Sequence, residues 1–409
     1  MTMKPVKIIG TGLNPDDLSK QTADIIAKAQ VLVGGKRLLD CFADPFADKG
    51  AKKIPVCGNL NEVVESIKAA LSQKLNIVVL ADGDPGFYGI ADLLVNKLGK
   101  NNVEIFPNIT TLQCAASRLK ISWKDIVTVS LHGRSDLLPL LNSLSLNDRV
   151  GVFTDQKYNP AKIAEQLLLR GVDTFRMIVF ENLCTEAENI CELDLKDALN
   201  KTFSALNFVI LDRIGHPEIS LTPGMDEDTY IHQKGLITKK EVRAAGLAAL
   251  KIRPDHTVWD LGAGCGSVAI EASVFAFKGR VVAVEKEPER VLQIKENIRR
   301  MGAYAVDAVC GDMPECLQAL PDPDRIFIGG GLGHDDSVLI AAANRLKPGG
   351  RLVLHLVLTG SLMRAIKYLN DTRWPVSISQ ILVSRSVPLC DDMRLESQNP
   401  VFIVSSKKC

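Results

Sequence analysis

Aromatic residues make up only 5% of this 409-residue chain, and 49 Lys plus Arg stand against 48 Asp plus Glu, for a formal net charge of +1. Neither figure suits a nucleic-acid or membrane-surface binder, which needs a basic face or stacking rings. Ten cysteines are scattered with no Cys-x-x-Cys pair and no His partners at finger spacing, so no metal site is indicated. They read as mostly buried, small apolar residues of a reducing compartment. Long apolar runs are missing too: Leu352 to Leu358 is broken by His355 and is far too short to span a membrane. Met1 to Gly10 has neither a long hydrophobic region nor cleavage-like small residues, so it is not read as a signal peptide, and a cytoplasmic location is the default. No fixed-period repeat is found.

What is present is the composition of a soluble globular enzyme, 46% hydrophobic and 24% charged. At about one domain per 100 to 200 residues, the length predicts roughly two to four domains. Apolar runs alternate with amphipathic segments throughout, the pattern of an α/β layer fold. In the first half, strands are expected at Val6 to Ile9, Val31 to Val33, Ile77 to Ala81, Ile126 to Leu131, Val150 to Thr154, Arg176 to Glu181 and Asn207 to Leu211. Helices are expected at about 61–71, 111–119 and 161–169, and one is expected to start at Asn14 and bury Leu18, Thr22, Ile25, Ile26 and Ala29. Between Asp212 and Asp228, Pro and Gly interrupt all periodicity. The expected division is therefore a domain over 1–212, a linker over 213–228 and a second α/β domain over 229–409.

Two glycine loops of unlike design stand at the ends of apolar strands. The second runs Asp260-Leu261-Gly262-Ala263-Gly264-Cys265-Gly266 between the strand Thr257 to Trp259 and a helix at Val268 to Ala272. Glycine permits the sharp turn and the close approach of backbone to ligand. The spacing lacks one residue of the dinucleotide fingerprint, which favours a ligand without a pyrophosphate. The next strand, Arg280 to Val284, ends in Glu285, placed to accept both hydroxyls of a ribose. A helix from Pro288 carries Val291, Ile294, Ile298 and Met301 on one face and ends at Gly302. The strand Ala305 to Cys310 then leads to Asp312 and Met313, and Lys347-Pro348-Gly349-Gly350 turns into the strand Arg351 to Leu358. Taken singly, Glu285 is also a solvated strand-end acid and Asp312 also a helix cap; the series in register carries the assignment.

This series resembles the Rossmann-like class I S-adenosylmethionine-dependent methyltransferases. The resemblance implies that Asp260, Gly262, Ala263, Gly264, Cys265 and Gly266 hold the methionyl part of the cofactor, Glu285 the ribose and the Asp312 region the adenine. Leu236 to Arg243 ahead of the first strand, and Phe327-Ile328-Gly329-Gly330-Gly331-Leu332-Gly333 after the fourth, are similar to the CbiT family of the cobalamin pathway. By that resemblance Thr238 and Met313 touch the cofactor, Gly329, Gly330 and Gly331 border a tetrapyrrole, and Lys239 and Arg243 are candidate substrate contacts. Lys239 and Arg243 read equally as a solvated helix face.

The first half resembles the tetrapyrrole methylase family, in its CbiE branch. The motifs are Gly10-Thr11-Gly12-Leu13-Asn14-Pro15, the loop Asp82-Gly83-Asp84-Pro85-Gly86-Phe87, the stretch Pro107 to Gln113, and Val129-Ser130-Leu131-His132-Gly133-Arg134. Leu13 and Asn14 replace the Pro and Gly commoner in the first motif. The family fold implied is two α/β sublayers with the cofactor folded between them. Its contacts are expected at Leu13, Asp82, Gly83, Asp84, Phe87, Thr110, Thr111 and Thr154. His132 and Arg134 are candidate substrate contacts, although Asp84 reads as well as a turn acid and His132 and Arg134 as a strand end.

Jointly the resemblances imply a bifunctional enzyme of cobalamin biosynthesis acting on one reduced tetrapyrrole, of the precorrin-6Y type or its cobalt form. The N-terminal domain methylates carbon 5; the C-terminal domain methylates carbon 15 and removes carbon dioxide from the ring C acetate. S-adenosylmethionine is expected once per domain, with no metal or prosthetic group, no nucleic acid and no membrane, and a homo-oligomer is expected from the family. The substrate is polyanionic, so Lys36, Arg37, Arg118, Arg134, Lys239, Arg243 and Arg385 are candidate orienting cations. Two other readings stay open: a methyltransferase for another acceptor, and one active half joined to a cofactor-binding module without turnover.

Overall fold

The structure, a computed structural model, describes residues 4–43, 50–233, 235–329, 332–333 and 335–409. The first sheet is parallel throughout: β1 (Val6–Gly10), β2 (Val31–Gly34), β3 (Lys52–Pro55), β4 (Ile77–Ala81) and β5 (Val103–Phe106), in the order β3-β2-β4-β1-β5. Its central strands are continuous apolar runs because helices cover both faces. Alternate residues serve two cores: Ile8, Val33 and Val79 face one, while Ile9, Leu32, Val78 and Leu80 face the other. The edge strands β3 and β5 are mostly exposed and carry no such run, and for that reason the sequence pattern misses them.

One expected helix is two elements. Asn14 caps a single turn over Pro15–Asp17, and the Asp17 carboxylate accepts from the backbone N–H groups of Leu13 (2.7 Å) and Asn14 (3.1 Å). Leu18 is then extended, and Ser19 caps a new helix over Lys20–Ala27. The acidic first turn closes on the glycine loop before it instead of continuing the helix.

A second sheet follows, made of β6 (Val127–Ser130), β7 (Arg149–Phe153), β8 (Phe175–Glu181), β9 (Asn189–Asp194) and β10 (Asn207–Arg213). The order is β6-β7-β10-β8-β9, with only β6 and β7 parallel. Arg213, expected in the linker, belongs to β10: its amide continues the ladder to the Asp148 carbonyl, and its side chain meets Asp148 at 2.9 Å.

The third sheet begins with β11 (Thr257–Leu261), β12 (Arg280–Glu285), β13 (Val306–Cys310), β14 (Arg325–Gly329) and β15 (Arg351–Leu356). It is completed by β16 (Val376–Ile381) and β19 (Val401–Lys407), while β17 (Ser384–Leu389) and β18 (Asp392–Ser397) form a separate exposed hairpin. The order is β13-β12-β11-β14-β15-β19-β16, parallel from β13 to β15 and antiparallel beyond. The strand order reverses beside β11, which leaves a crevice at the carboxyl ends of β11 and β14. Among the described residues no helix is long and apolar enough to cross a membrane.

The two halves pack together. Asn142 donates to the Gly279 carbonyl at 3.1 Å, Thr174 and Tyr304 share a hydroxyl contact at 3.0 Å, and Arg299 meets Asp173 at 2.9 Å. The cysteines depart from the expectation that most are buried. Cys41, Cys57, Cys310, Cys390 and Cys409 are exposed, and Cys114 stands beside Cys184.

Arg243, expected to reach a substrate, is fully enclosed. It bonds Glu271 at 2.8 Å and the carbonyls of Thr238 and Met225, and it lies over the Tyr230 ring. Glu271 also accepts from the amides of Gly224 (2.9 Å) and Met225 (3.1 Å) and from the Tyr230 hydroxyl (3.1 Å), so the pair pins the incoming linker to the C-terminal sheet. Burial, and then the Glu271 charge, push the Tyr230 phenol well above its ordinary range. Arg243→Met is expected to lower stability by about 3–5 kcal/mol in urea unfolding, because the Glu271 charge loses its counter-ion in a site closed to water.

Candidate functional site

The N-terminal cleft is a cavity of about 1280 Å³ between the first two sheets. Its floor is set where β1 and β4 end. Gly12 and Gly83 exchange backbone hydrogen bonds of 3.3 and 3.0 Å, and a side chain at Gly10 would meet the Gly83 carbonyl at 2.5 Å. Only glycine lets the two loops approach so closely.

Leu13, Asp82, Gly83, Asp84, Phe87, Thr110, Thr111 and Thr154 all line this cavity, with His132, Arg134 and Arg37. Asp84 is also a turn acid: it accepts from the amides of Gly86 (2.7 Å) and Asn108 (3.2 Å), tying the loop to the stretch before Thr110. Thr110 caps the helix Thr111–Leu119 in a reciprocal arrangement with Gln113. Thr154 is held by the Asn207 side chain at 2.7 Å. Phe153 stacks at 4.9 to 5.8 Å against Phe87, Tyr88 and Phe208, which gives the cleft an aromatic wall.

Sequence reasoning missed Tyr88, Asp155 and Lys157, which also line the cavity. The position of Asp155-Gln156-Lys157 just past β7 was the available signal. Burial pushes the Asp155 carboxyl upward, but amide hydrogen bonds from Tyr158, Gly133 and Lys157 outweigh it and hold the acid below its ordinary value. Asp155 thereby fixes the turn that presents His132 and Arg134. Lys36 is exposed on the turn after β2. Arg118, proposed as an orienting cation, is instead committed to Glu188 at 2.7 and 3.1 Å.

The second site lies at the carboxyl ends of β11 and β12. Gly262, Gly264 and Gly266 have φ values of 74°, 59° and 82°, a left-handed conformation at every second residue. The amides of Gly262 and Ala263 both donate to the Val284 carbonyl at 3.0 Å, which folds the loop back over β12. A side chain at Gly266 would press on Ile294 at 3.0 Å, whereas nothing stands within 4 Å of the corresponding point on Gly264, so the loop has an open face there.

Glu285 is nearly buried and accepts from the amides of Gly264 (2.9 Å), Lys286 (3.0 Å) and Glu287 (3.1 Å). A carboxylate offers roughly four acceptor positions, so the backbone of the loop and of the turn after β12 takes most of the capacity assigned to a ribose. Asp260 is corrected from a ligand contact to a support: it is 1% exposed and accepts from the Ala269 amide at 2.9 Å, holding the helix Ser267–Phe275 under the loop. The Cys265 side chain is likewise buried, which leaves only its backbone to the loop. Asp312 is exposed beyond β13, and Met313 packs on the core beneath it.

Thr238 and Lys239 lead into the helix Lys240–Leu250, and the Thr238 carbonyl is engaged by Arg243. Arg385 is not free to orient a substrate, because Glu227 (2.6 and 2.9 Å) and Glu241 (2.5 and 3.2 Å) enclose it. Arg385 holds the Glu227 carboxyl down to about 2. Gly329 ends β14 at the crevice, where a side chain would meet Phe327 at 2.9 Å; Gly330 and Gly331 lie outside the described residues.

Two outcomes follow from this loop. Gly264→Ala places a methyl on the open face at a left-handed position, at a cost of about 1–2 kcal/mol that urea unfolding reads. Complete burial, and then the Glu285 charge, raise the Asp260 carboxyl to about 7. The folded chain then holds that proton more tightly than the unfolded one, so the stability contributed is full below about pH 4 and is lost as pH rises through about 7. Relative to the parent, Asp260→Asn should gain stability across that window in urea unfolding.

Residues 5–199 match the family of tetrapyrrole (corrin/porphyrin) methylases, and residues 228–408 match the precorrin methyltransferase domain. A precorrin-6Y C(5,15)-methyltransferase (decarboxylating) of Sinorhizobium sp. is 32% identical over 376 residues, 91% of this chain and 88% of that one. A probable cobalt-precorrin-6B C(15)-methyltransferase (decarboxylating) of Sulfurisphaera tokodaii is 30% identical over 189 residues, 46% of this chain and 98% of the relative. The solved structure of a precorrin-6Y C5,15-methyltransferase from Geobacter metallireducens GS-15 has 38% identity, covers 47% of this chain and 99% of its own, and has a TM-score of 0.44.

Proposed function

The chain belongs to the family of decarboxylating precorrin-6Y C(5,15)-methyltransferases, and from that premise we propose how its two halves divide the reaction. The half up to Arg213, the last residue of β10, methylates carbon 5 of precorrin-6Y or its cobalt form. After a linker that ends near Asp228, the C-terminal half methylates carbon 15 and removes carbon dioxide from the ring C acetate. The carrying observation is that two clefts of different construction open at the carboxyl ends of parallel strands in two separate sheets, in a chain that matches such an enzyme along 91% of its length.

Each half is assigned one S-adenosylmethionine, which supplies an electrophilic methyl group on a sulfonium. The residues present fit it. In the C-terminal half, Gly264 offers an open backbone face, Glu285 a partly free carboxylate, and Asp312 an exposed polar edge. In the N-terminal half, Gly83, Thr110, Thr111 and Thr154 line a cavity large enough for two ligands.

Methyl transfer to an enamine-like meso carbon needs alignment and exclusion of water more than a nucleophilic side chain. The aromatic wall around Phe153 supplies the apolar contact, and Arg134, His132 and Lys157 meet the macrocycle's carboxylates. Lys239 has that part in the C-terminal half. In the decarboxylation, the bond between the acetate methylene and its carboxylate breaks, its electron pair enters the conjugated macrocycle, and a proton then makes the methylene a methyl. Self-association and a cytoplasmic location belong to the same proposal.

Incubation with S-adenosylmethionine and precorrin-6Y, followed by mass spectrometry, should show a gain of two methyl groups and a loss of carbon dioxide. Asp84→Ala should remove the carbon 5 methyl and Asp260→Ala the carbon 15 methyl with the decarboxylation. An unmodified macrocycle sinks the reading, and a gain of only one methyl group by the parent chain marks the other half as a module without turnover.

A further inference from the structure

One ion pair in the N-terminal cleft joins residues that serve different ligands in the functional reading above, Arg37 the carboxylates of the macrocycle and Asp82 the cofactor. Arg37 stands on the turn after β2 and Asp82 just past β4; both line the N-terminal cleft, and the guanidinium Nη2 donates to the Asp82 Oδ1. As paired, each occupies the group the other ligand needs. The two side chains are 46% and 60% exposed. A pair so exposed contributes about 0–1 kcal/mol, so a better-placed partner displaces it.

The other charges in the lining are committed differently. Asp84 is tied to the amides of Gly86 and Asn108, and Asp155 to those of Gly133 and Tyr158. Arg134 donates to the Ser130 carbonyl at 2.6 Å and Lys157 to the Ser135 carbonyl at 2.9 Å, so both are anchored by neutral oxygens. Arg37 and Asp82 differ in being held by each other's charge.

We propose that this pair is an exchange gate that couples the two ligands of the N-terminal site. A carboxylate of the macrocycle takes the Arg37 fork, and the released Asp82 carboxylate takes the ammonium of the cofactor's amino-acid end. One ion pair is replaced by two, and no covalent bond is made or broken. The exchange rests on the functional reading above, in which this cleft holds both ligands. Each ligand then removes the competitor of the other, so each raises the other's affinity by the same factor. Arg37 and Asp82 are thus positioning residues, and the gate favours the site that holds both ligands over the site that holds either one alone.

The test follows transfer of a ¹³C-labelled methyl from S-adenosylmethionine to precorrin-6Y by the full chain, with carbon-13 NMR separating carbon 5 from carbon 15. In the parent chain, the dissociation constant of S-adenosylhomocysteine at the N-terminal site, read by isothermal titration with and without precorrin-6Y, should fall about two- to fivefold, the full worth of an exposed pair, and KM for the cofactor in carbon 5 transfer should fall alike as the macrocycle rises from trace to saturating. Arg37→Gln should raise the macrocycle KM about tenfold, the loss expected for one charge-assisted contact, and abolish the coupling. Asp82→Asn should abolish the coupling and raise the cofactor KM while leaving the macrocycle KM equal or lower, because the competitor for Arg37 is gone. Urea unfolding counts the folded chains in each preparation. Cofactor and macrocycle KM values independent of each other in the parent overturn the gate, as does an Asp82→Asn macrocycle KM that rises as far as that of Arg37→Gln, which marks a merely structural pair. No label at carbon 5 in the parent chain overturns the functional reading instead.

Discussion

A buried parallel strand ends with backbone groups that its sheet no longer satisfies, and the chain has to turn back there without a side chain in the way. Both clefts are answers to that constraint. In the C-terminal half the answer is three left-handed glycines, 262, 264 and 266, folded over the Val284 carbonyl and locked from beneath by Asp260 and Glu285. In the N-terminal half two loops lean on each other, with Gly12 and Gly83 bonded backbone to backbone. The first arrangement sets amides around an open face; the second makes the floor of a cavity.

The buried acids bear the cost of this construction. Asp260 is kept from water to hold a helix N-terminus, and its raised pKa is the mark of that desolvation. Glu271 is enclosed as well, but Arg243, Tyr230 and two amides surround it, and the cluster fixes how the linker enters the second half. Such satisfied networks specify one arrangement of the chain more than they add stability. Contacts between the halves through Arg299, Asn142 and Tyr304 keep the two clefts on one body.

The central strands were legible because burial on both faces writes a continuous apolar run, as in Ile77–Ala81 and Arg280–Glu285. The glycine loops were legible because left-handed backbone selects for glycine. Edge strands such as Lys52–Pro55 and the hairpin Ser384–Ser397 were not, since exposed strands carry no apolar pattern. Charges were the least legible feature. Arg243, Arg118 and Arg385 look like free cations until the fold brings Glu271, Glu188 and Glu227 against them, and Asp260 looks like a ligand until the fold seals it. Lys157 went unnoticed because its place in the cleft depends on how the second sheet packs over the first.

We propose that one chain holds the same cofactor twice, in two differently built clefts, and isothermal titration of the intact chain with S-adenosylhomocysteine measures it. Two molecules bound per chain, with separable heats, are expected. Saturation at one molecule per chain, with the second cleft silent, contradicts it.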